Sequence, residues 1–264
     1  MTLFSIITKQ LLCVMSQITL ASYNLNHGSN KVKLIANINY LATQGVDVFC
    51  LQEIRTGRHE SFIGDDMLSA LGPSWKAEFL LSYNSKNDYG LGVIWNADKL
   101  QLQHFQSIDL PTLQGIPRLQ SIIEQYLLSG DASPVKRAAN VALFKVDDAV
   151  IRIVNVHADW HGGMEHRLSQ VKHLLEYLKS EPYHAELICG DFNTIGLLSN
   201  KKQMTMLRDA LGAEYVSAFP DFRLTTFHGQ HLDHIFAKNC DFKRTQIYRI
   251  MGSDHFPVVA EVEL

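Results

Sequence analysis

The chain has 264 residues, with 24 Lys+Arg against 27 Asp+Glu, a formal net charge of −3, 46% hydrophobic and 19% charged residues. This ordinary globular composition excludes a disordered chain, a coiled coil and a uniformly basic nucleic-acid coat, while leaving room for a local basic groove or an acidic metal site. Four cysteines (Cys13, Cys50, Cys189, Cys240) form no CxxC pair, so neither a disulfide framework nor a cysteine zinc site is indicated, and two of them lie in apolar runs that suit buried thiols.

Residues 1–15 (MTLFSIITKQLLCVM) are apolar but interrupted by Lys9 and Gln10. A membrane-spanning helix needs ~20 apolar residues, and no basic start or clean cleavage site marks a signal peptide. We expect a non-native or disordered extension over 1–15 with Met15 as the true start, no stable membrane insertion, a cytoplasmic location, and one domain over 16–264. Ile18–Asn26 (ITLASYNLN) reads as a strand, and Val32, Ile35, Ile38 and Leu41 predict a helix over 30–44 that stops at Gly45. Val46–Leu51 (VDVFCL) suits a buried strand delivering Gln52 and Glu53. A helix is expected over 59–71 before Gly72-Pro73, then strands at 76–82 and 90–96. Residues 105–136 lack strong periodicity apart from a helix near 118–128, and read as an insertion or loop.

Ala139–Val146 and Ala149–His157 form a predicted hairpin around Asp147-Asp148. A helix follows at 165–180, then a strand at 186–189 running into Gly190-Asp191-Phe192-Asn193. The tail supplies a helix at 201–211 and strands at 232–237, 244–250 and 257–264. There is no internal sequence repeat and no Ser/Gly linker. Strands at both ends of the chain with helices between them imply an α/β fold with mixed or antiparallel sheets.

Polar residues fall where the apolar strands end: Asn26, Glu53, His157, Asp191 with Asn193, Asp233 with His234, and Ser253-Asp254-His255. Strand ends of open α/β sheets converge on one edge, where clefts form. Carboxylates with an amide and no cysteine suit a hard cation such as Mg²⁺ or Mn²⁺. The histidines and Arg137 suit phosphate oxygens that gain charge during transfer.

YNLN (23–26), LQE (51–53), NVH (155–157), GDFN (190–193), LDHIF (232–236) and GSDHFPV (252–258) together resemble the endonuclease/exonuclease/phosphatase superfamily, the deoxyribonuclease I-like fold, and its small bacterial-type members in particular. Each string alone is weak, but the six occur in the family's order across most of the chain. The resemblance implies a four-layer α/β sandwich, two mixed β-sheets packed face to face and flanked by helices. It implies a metal-dependent phosphoesterase, with a nuclease slightly ahead of enzymes acting on phospholipid, inositol or other small phosphoesters. Glu53 then resembles the principal metal ligand, with Asn26 and Asp254 completing the site for Mg²⁺ or Mn²⁺, directly or through water. Asp191 resembles the residue that orients or deprotonates the attacking water, and Asn193 the amide that positions water and a phosphate oxygen. His157 and His255 resemble the pair flanking the scissile phosphate. Asp233 resembles the buttress of His255, Asp88 the carboxylate behind His157, and Arg137 a phosphate-contacting arginine. Both histidines stabilise charge only when protonated, so each is expected to have its carboxylate.

Less specific features have plainer readings. His59, His104, His166, His173 and His184 read as solvated. His228 and His231 form an HxxH that suits either a zinc site or the cleft lining. HADWHGG (157–163) superficially resembles a metallo-β-lactamase motif, but with the wrong spacing, and that reading leaves LQE and GSDH unexplained. Trp160 and His161 suit a loop beside the cleft or a cap on the strand end. The pairs Lys136-Arg137, Lys201-Lys202 and Lys243-Arg244 suit either a phosphate-backbone groove or a solvated surface. GDFNT followed by IGLLSN departs from the longer aromatic motif of the inositol phosphatases. A non-catalytic binding module predicts replacements at Glu53, Asp191, Asn193 or His255, and all four residues are present.

Overall fold

The structure, a computed structural model, describes residues 16–55, 62–80, 89–113, 136–180, 183–196 and 200–264. The N-terminal extension, the helix expected near 118–128, His59 and Asp88 lie outside the described residues. In chain order the elements are β1 (Gln17–Asn24), α1 (Lys31–Thr43), β2 (Val48–Arg55), α2 (Ile63–Leu71), β3 (Trp75–Leu80), β4 (Tyr89–Asn96), β5 (Gln101–Asp109), β6 (Ala138–Val146) and β7 (Ala149–His157), followed by α3 (Gly163–Tyr177), β8 (Ala185–Asp191), α4 (Asn200–Leu211), β9 (Val216–Ser217), β10 (Asp233–Lys238), β11 (Asp241–Ile247) and β12 (Val258–Glu263).

Two six-stranded sheets form, one in the order β11-β12-β1-β2-β4-β3 and the other β5-β6-β7-β8-β10-β9. Each is mixed. β1 and β2 run parallel, as do β7 and β8, and every other pairing is antiparallel. The parallel pairs are those joined through a helix, α1 in one sheet and α3 in the other, because a parallel return needs a crossover.

Burial explains the strand sequences. Ile18 and Leu20 of β1, Val48 and Cys50 of β2, and Trp95 of β4 meet Phe144, Ile151, Ile153, Leu187 and Ile235 in the layer between the sheets. The alternate residues Phe49, Leu51 and Ile94 pack outward on Leu34, Ile38 and Leu41 of α1 and Met67 of α2. Val141, Val154, Ile188 and Phe236 do the same against Val171 and Leu174 of α3 and Leu207 and Leu211 of α4. A central strand covered on both faces reads as a continuous apolar run, which is why VFCL and ELIC do not alternate. Cys50 and Cys189 are fully buried, as expected.

The predicted hairpin of β6 and β7 is present, with Asp147 at positive φ in its turn. Two strands depart from the sequence expectation. β5 runs into the stretch that reads as an insertion or loop, because as an edge strand it is largely exposed and a register shift between Leu102 and His104 interrupts its alternation. β9 has only two residues. Among the described residues, no helix is long and apolar enough to cross a membrane.

Candidate active site

The registers bring the polar strand ends together. β1 and β2 finish side by side, with Asn24 opposite Gln52; β7 and β8 finish with His157 opposite Asp191; and β10 starts with Asp233 opposite that same Asp191. The sheets are tied just below this edge. Gln52 Nε2 donates to Asn155 Oδ1 across the sandwich (2.7 Å) and to Ser22 Oγ (3.1 Å), and Asn155 Nδ2 donates to the carbonyls of Leu51 and Gly92. These side chains are fully buried.

Backbone chemistry explains several motif residues. Gly190 has φ +141°, and a Cβ there would lie 1.9 Å from the carbonyl oxygen of Val156. Only glycine lets β8 approach β7 closely enough to seat Asp191 beside His157. Glu53 occupies an irregularity in the β2–β4 register at φ +55°, so its side chain is turned out of the strand's normal alternation. Asn193, also left-handed at φ +49°, follows a turn in which its N–H donates to Asp191 Oδ1 (2.8 Å), while its Nδ2 donates to the carbonyl of Ala158 (3.0 Å). Left-handed conformations in non-glycine residues cluster at functional sites.

At the centre is Asp191, almost fully buried. Its Oδ2 accepts from Asn24 Nδ2 (3.0 Å) and lies 3.8 Å from the Nε2 atoms of both His157 and His255. His255 Nδ1 donates to the buried carboxylate of Asp233 (2.9 Å), whose backbone N–H donates to Thr225 Oγ1. Glu53 sits nearer the mouth. Its Oε1 accepts from Asn24 Nδ2 (3.3 Å) and lies 3.7 Å from His157 Nε2, and its Oε2 lies 3.2 Å from His27 Nε2. Arg137 places Nη1 3.0 Å from His157 Nδ1.

These contacts split the two histidines. Burial lowers the pKa of His255, but the charges of Asp233 and Asp191 and the Asp233 hydrogen bond outweigh it and carry the group up to about 10. His157 is pushed well below its ordinary value by burial and by the electrostatic influence of Arg137, His255 and His27. His157 stands beside a guanidinium, and Asp88, the carboxylate expected behind it, lies outside the described residues. Burial pushes Asp191 up to about 7, with Asp233 adding to the rise while His255, the Asn193 N–H and the Asn24 amide oppose it.

Glu53, Arg137, His157, Asp191, Asn193, Asp233 and His255 are thus brought to one edge, and Asp88 lies outside the described residues. Asn26 donates through its backbone N–H to Asn24 Oδ1, and Asp254 accepts from Ser253 Oγ with its other oxygen 3.8 Å from His228; no described hydrogen bond or ion pair joins either to Glu53. The HxxH is not a pair in space. His228 is exposed beside Asp254, whereas buried His231 accepts from the Arg223 N–H and stacks on His234, the ring centroids 4.5 Å apart. His166, expected in solvent, is mostly buried 3.5 Å from Asp159, because its helix packs on the loop after His157. Asn24, His27, Gln52 and Asn155 also belong to the site, although the sequence expectation assigns them no role. For three of them a signal exists: Asn24, Gln52 and Asn155 continue the inward-facing rows 18–20, 48–50 and 151–153, where a polar side chain needs a partner.

The sequence comparison gives the class to which these two mixed sheets and the carboxylate–imidazole cluster at their shared edge belong. The profile of the Endonuclease/Exonuclease/phosphatase family matches residues 21–255, and the chain belongs to that family, whose members hydrolyse phosphoesters. A UPF0294 protein of Vibrio vulnificus is 30% identical over 122 residues; the match takes in 45% of this chain and 41% of that protein, less than half the length of either. The endonuclease/exonuclease/phosphatase structure from Bacteroides vulgatus superposes with a TM-score of 0.71 at 16% identity, covering 94% of this chain and 99% of that one. ANGEL2, a 2′,3′-cyclic phosphatase solved with adenosine-2′,3′-vanadate, superposes with a TM-score of 0.68 at 13% identity, covering 95% of this chain and 96% of that one.

Proposed function

We propose that the protein is a divalent-metal-dependent phosphodiesterase that cleaves nucleic acid by in-line attack of water. The observation that carries this reading is the placement of Asp191, a buried carboxylate 3.8 Å from the Nε2 atoms of both His157 and His255, which burial pushes up to a pKa of about 7. A general base works best with a pKa near the operating pH. Asp191 takes the proton of the attacking water, and Asn193, fixed by Ala158 and by Asp191 itself, orients that water and a phosphate oxygen. His255 stays protonated through Asp233 and offers Nε2–H to the charge that develops on the phosphate. Neutral His157 donates through one ring nitrogen, while the Arg137 cation beside it draws the phosphate in.

The donors fit a hard cation. Glu53 is 16% exposed at the mouth of the site among amide and imidazole neighbours, an oxygen donor open to a hard cation. Asp191, Asp233 and His255 also offer three ligand atoms within 4.8 Å of one another. There, however, His255 has committed Nδ1 to Asp233, and its own charge fills the cation's place. Glu53 would therefore hold Mg²⁺ or Mn²⁺, with Asn26 and Asp254 completing the site directly or through water. When bound, the ion neutralises phosphate charge and stabilises the leaving oxygen.

The test is incubation with supercoiled plasmid, single-stranded DNA, RNA and bis-(p-nitrophenyl) phosphate in Mg²⁺, Mn²⁺ or EDTA, beside Glu53→Ala and His255→Ala. Metal-dependent cleavage of a nucleic acid by the wild type, abolished in both variants, is the expected result. Cleavage of the small diester alone moves the substrate to another phosphoester. Inactivity on every substrate leaves a binding module in place of an enzyme.

A further inference from the structure

A second concavity lies beside the catalytic edge. Residues of the 218–224 segment, which leaves β9, and of 245–249, at the end of β11, line an open cavity of about 520 Å³. Its walls combine the apolar side chains of Phe219, Leu224 and Ile247 with Arg223, Arg249 and Gln246. Neither arginine forms an ion pair or a side-chain hydrogen bond among the described residues, although Asp221 also lines the cavity. A third cation approaches the rim, where Arg244 Nη2 donates to Gln246 Oε1 (2.8 Å).

The wall is continuous with the catalytic centre. Leu224 is followed by Thr225, whose Oγ1 accepts from the Asp233 N–H and whose carbonyl accepts from the Phe256 N–H, and Thr226 bridges His255. Three residues of extended chain span at most ~10 Å, so Arg223 lies within that reach of the segment bonded to His255. A stacked nucleic-acid strand advances ~3.4 Å per nucleotide, so the same reach covers two to three nucleotides.

We infer that this cavity is a nucleotide subsite that receives a unit of the single strand two to three positions from the scissile phosphate, its base against Phe219, Leu224 and Ile247 and its phosphate on Arg223 and Arg249. The volume suits one such unit, since small-molecule pockets run from ~300 to ~1,000 Å³. Apolar side chains and guanidiniums lining one cavity are the pairing that base stacking and phosphate contact require. The inference deepens the phosphodiesterase reading and rests on it: a substrate that ends at the scissile phosphate has nothing to place here, whereas a strand does.

The experiment compares the wild type with Arg223→Ala/Arg249→Ala and with Arg249→Glu, on a 5′-labelled twelve-nucleotide single strand and on bis-(p-nitrophenyl) phosphate, both in Mg²⁺. Both arginines are solvent-exposed, and thermal melting verifies that the variants fold. The expected result is an unchanged kcat and KM on the small diester, with KM for the oligonucleotide raised ~10-fold or more in the double variant and further in the charge reversal. The slope of log affinity against log salt, read by fluorescence polarisation, should fall by about one for each phosphate that a variant no longer neutralises. An oligonucleotide KM and salt slope that match the wild type, with the small diester still hydrolysed, overturn the subsite and leave the phosphodiesterase reading standing. A wild type that hydrolyses neither substrate overturns the phosphodiesterase reading, and the subsite with it.

Discussion

The two sheets are built to one plan and finish it differently. In each, the third and fourth strands run parallel through a helical crossover, and a fifth strand returns antiparallel beside them: β1, β2 and β4 in one sheet, β7, β8 and β10 in the other. By register Asn24 and Gln52 thus stand where His157 and Asp191 stand in the second sheet, with Glu53 one residue beyond, and Arg137 before β6 corresponds to the His255 segment before β12. The first sheet breaks its register at Glu53 and turns that carboxylate toward the mouth, 16% exposed. The second keeps its register, using Gly190, and buries Asp191 to 2%. One scaffold therefore offers an open carboxylate suited to a cation and a closed one suited to moving a proton.

The largest effect should come from the closed side. Asp191→Asn removes the proposed base and is expected to lower kcat by ~10³-fold or more, near the upper end of what a proton acceptor contributes. It should leave the rise in melting temperature caused by Mg²⁺ in place, because the open carboxylate is intact. Glu53→Gln should show the converse pattern: loss of the Mg²⁺-induced thermal shift, since a ligand that binds only the folded state stabilises it, and a fall in kcat of ~10²-fold at fixed Mg²⁺. Differential scanning fluorimetry beside single-turnover kinetics reads both. If the two variants behave alike, the division of labour between the sheets is wrong.

Asp233→Asn tests the charge split between the histidines. His255 has a folded pKa of about 10 against an ordinary 6.5, so its contribution to stability is complete below 6.5 and is lost as the pH rises through about 10. Melting of the metal-free wild type should accordingly weaken across that window, and Asp233→Asn should flatten the dependence. The alkaline limb of kcat/KM should move down by ~1–2 pH units, the size of effect an adjacent opposite charge exerts. An unmoved limb removes Asp233 as the buttress of His255.

Most strands and the four described helices are legible in apolar periodicity, because the central strands are covered on both faces and α1, α3 and α4 each bury one face. β5 and β9 are not, since an exposed or two-residue edge strand leaves little pattern. The site divides in the same way. Asp191, Asp233, His157 and His255 stand in motifs at strand ends, and the registers that follow from burial gather them. His27 reaches Glu53 through a left-handed turn at φ +56°, and the lowered pKa of His157 arises from its burial and from Arg137, twenty residues away in sequence. Contacts of that kind depend on tertiary placement, which no local pattern encodes.

The smallest predicted effect concerns what keeps the two strand ends in line. Gln52 of β2 and Asn155 of β7 both face inward just inside a catalytic strand end, and their hydrogen bond crosses the sandwich. Gln52→Leu keeps the volume but leaves Asn155 Oδ1 and Ser22 Oγ without their donor in a dry interior, a loss of ~1–3 kcal/mol. For a chain of this size that corresponds to a fall in melting temperature of ~2–4 °C per kcal/mol. Asn155→Leu should cost more, because the carbonyls of Leu51 and Gly92 also lose a donor. The double variant should be less destabilised than the sum of the singles, as partners in one network are. Well below the melting temperature, kcat should stay within a few-fold of wild type if the bond serves only stability. A larger drop in kcat, with melting scarcely changed, would make this pair the element that holds Glu53 and His157 at working distance, and the registers of the separate sheets would then be insufficient to build the site.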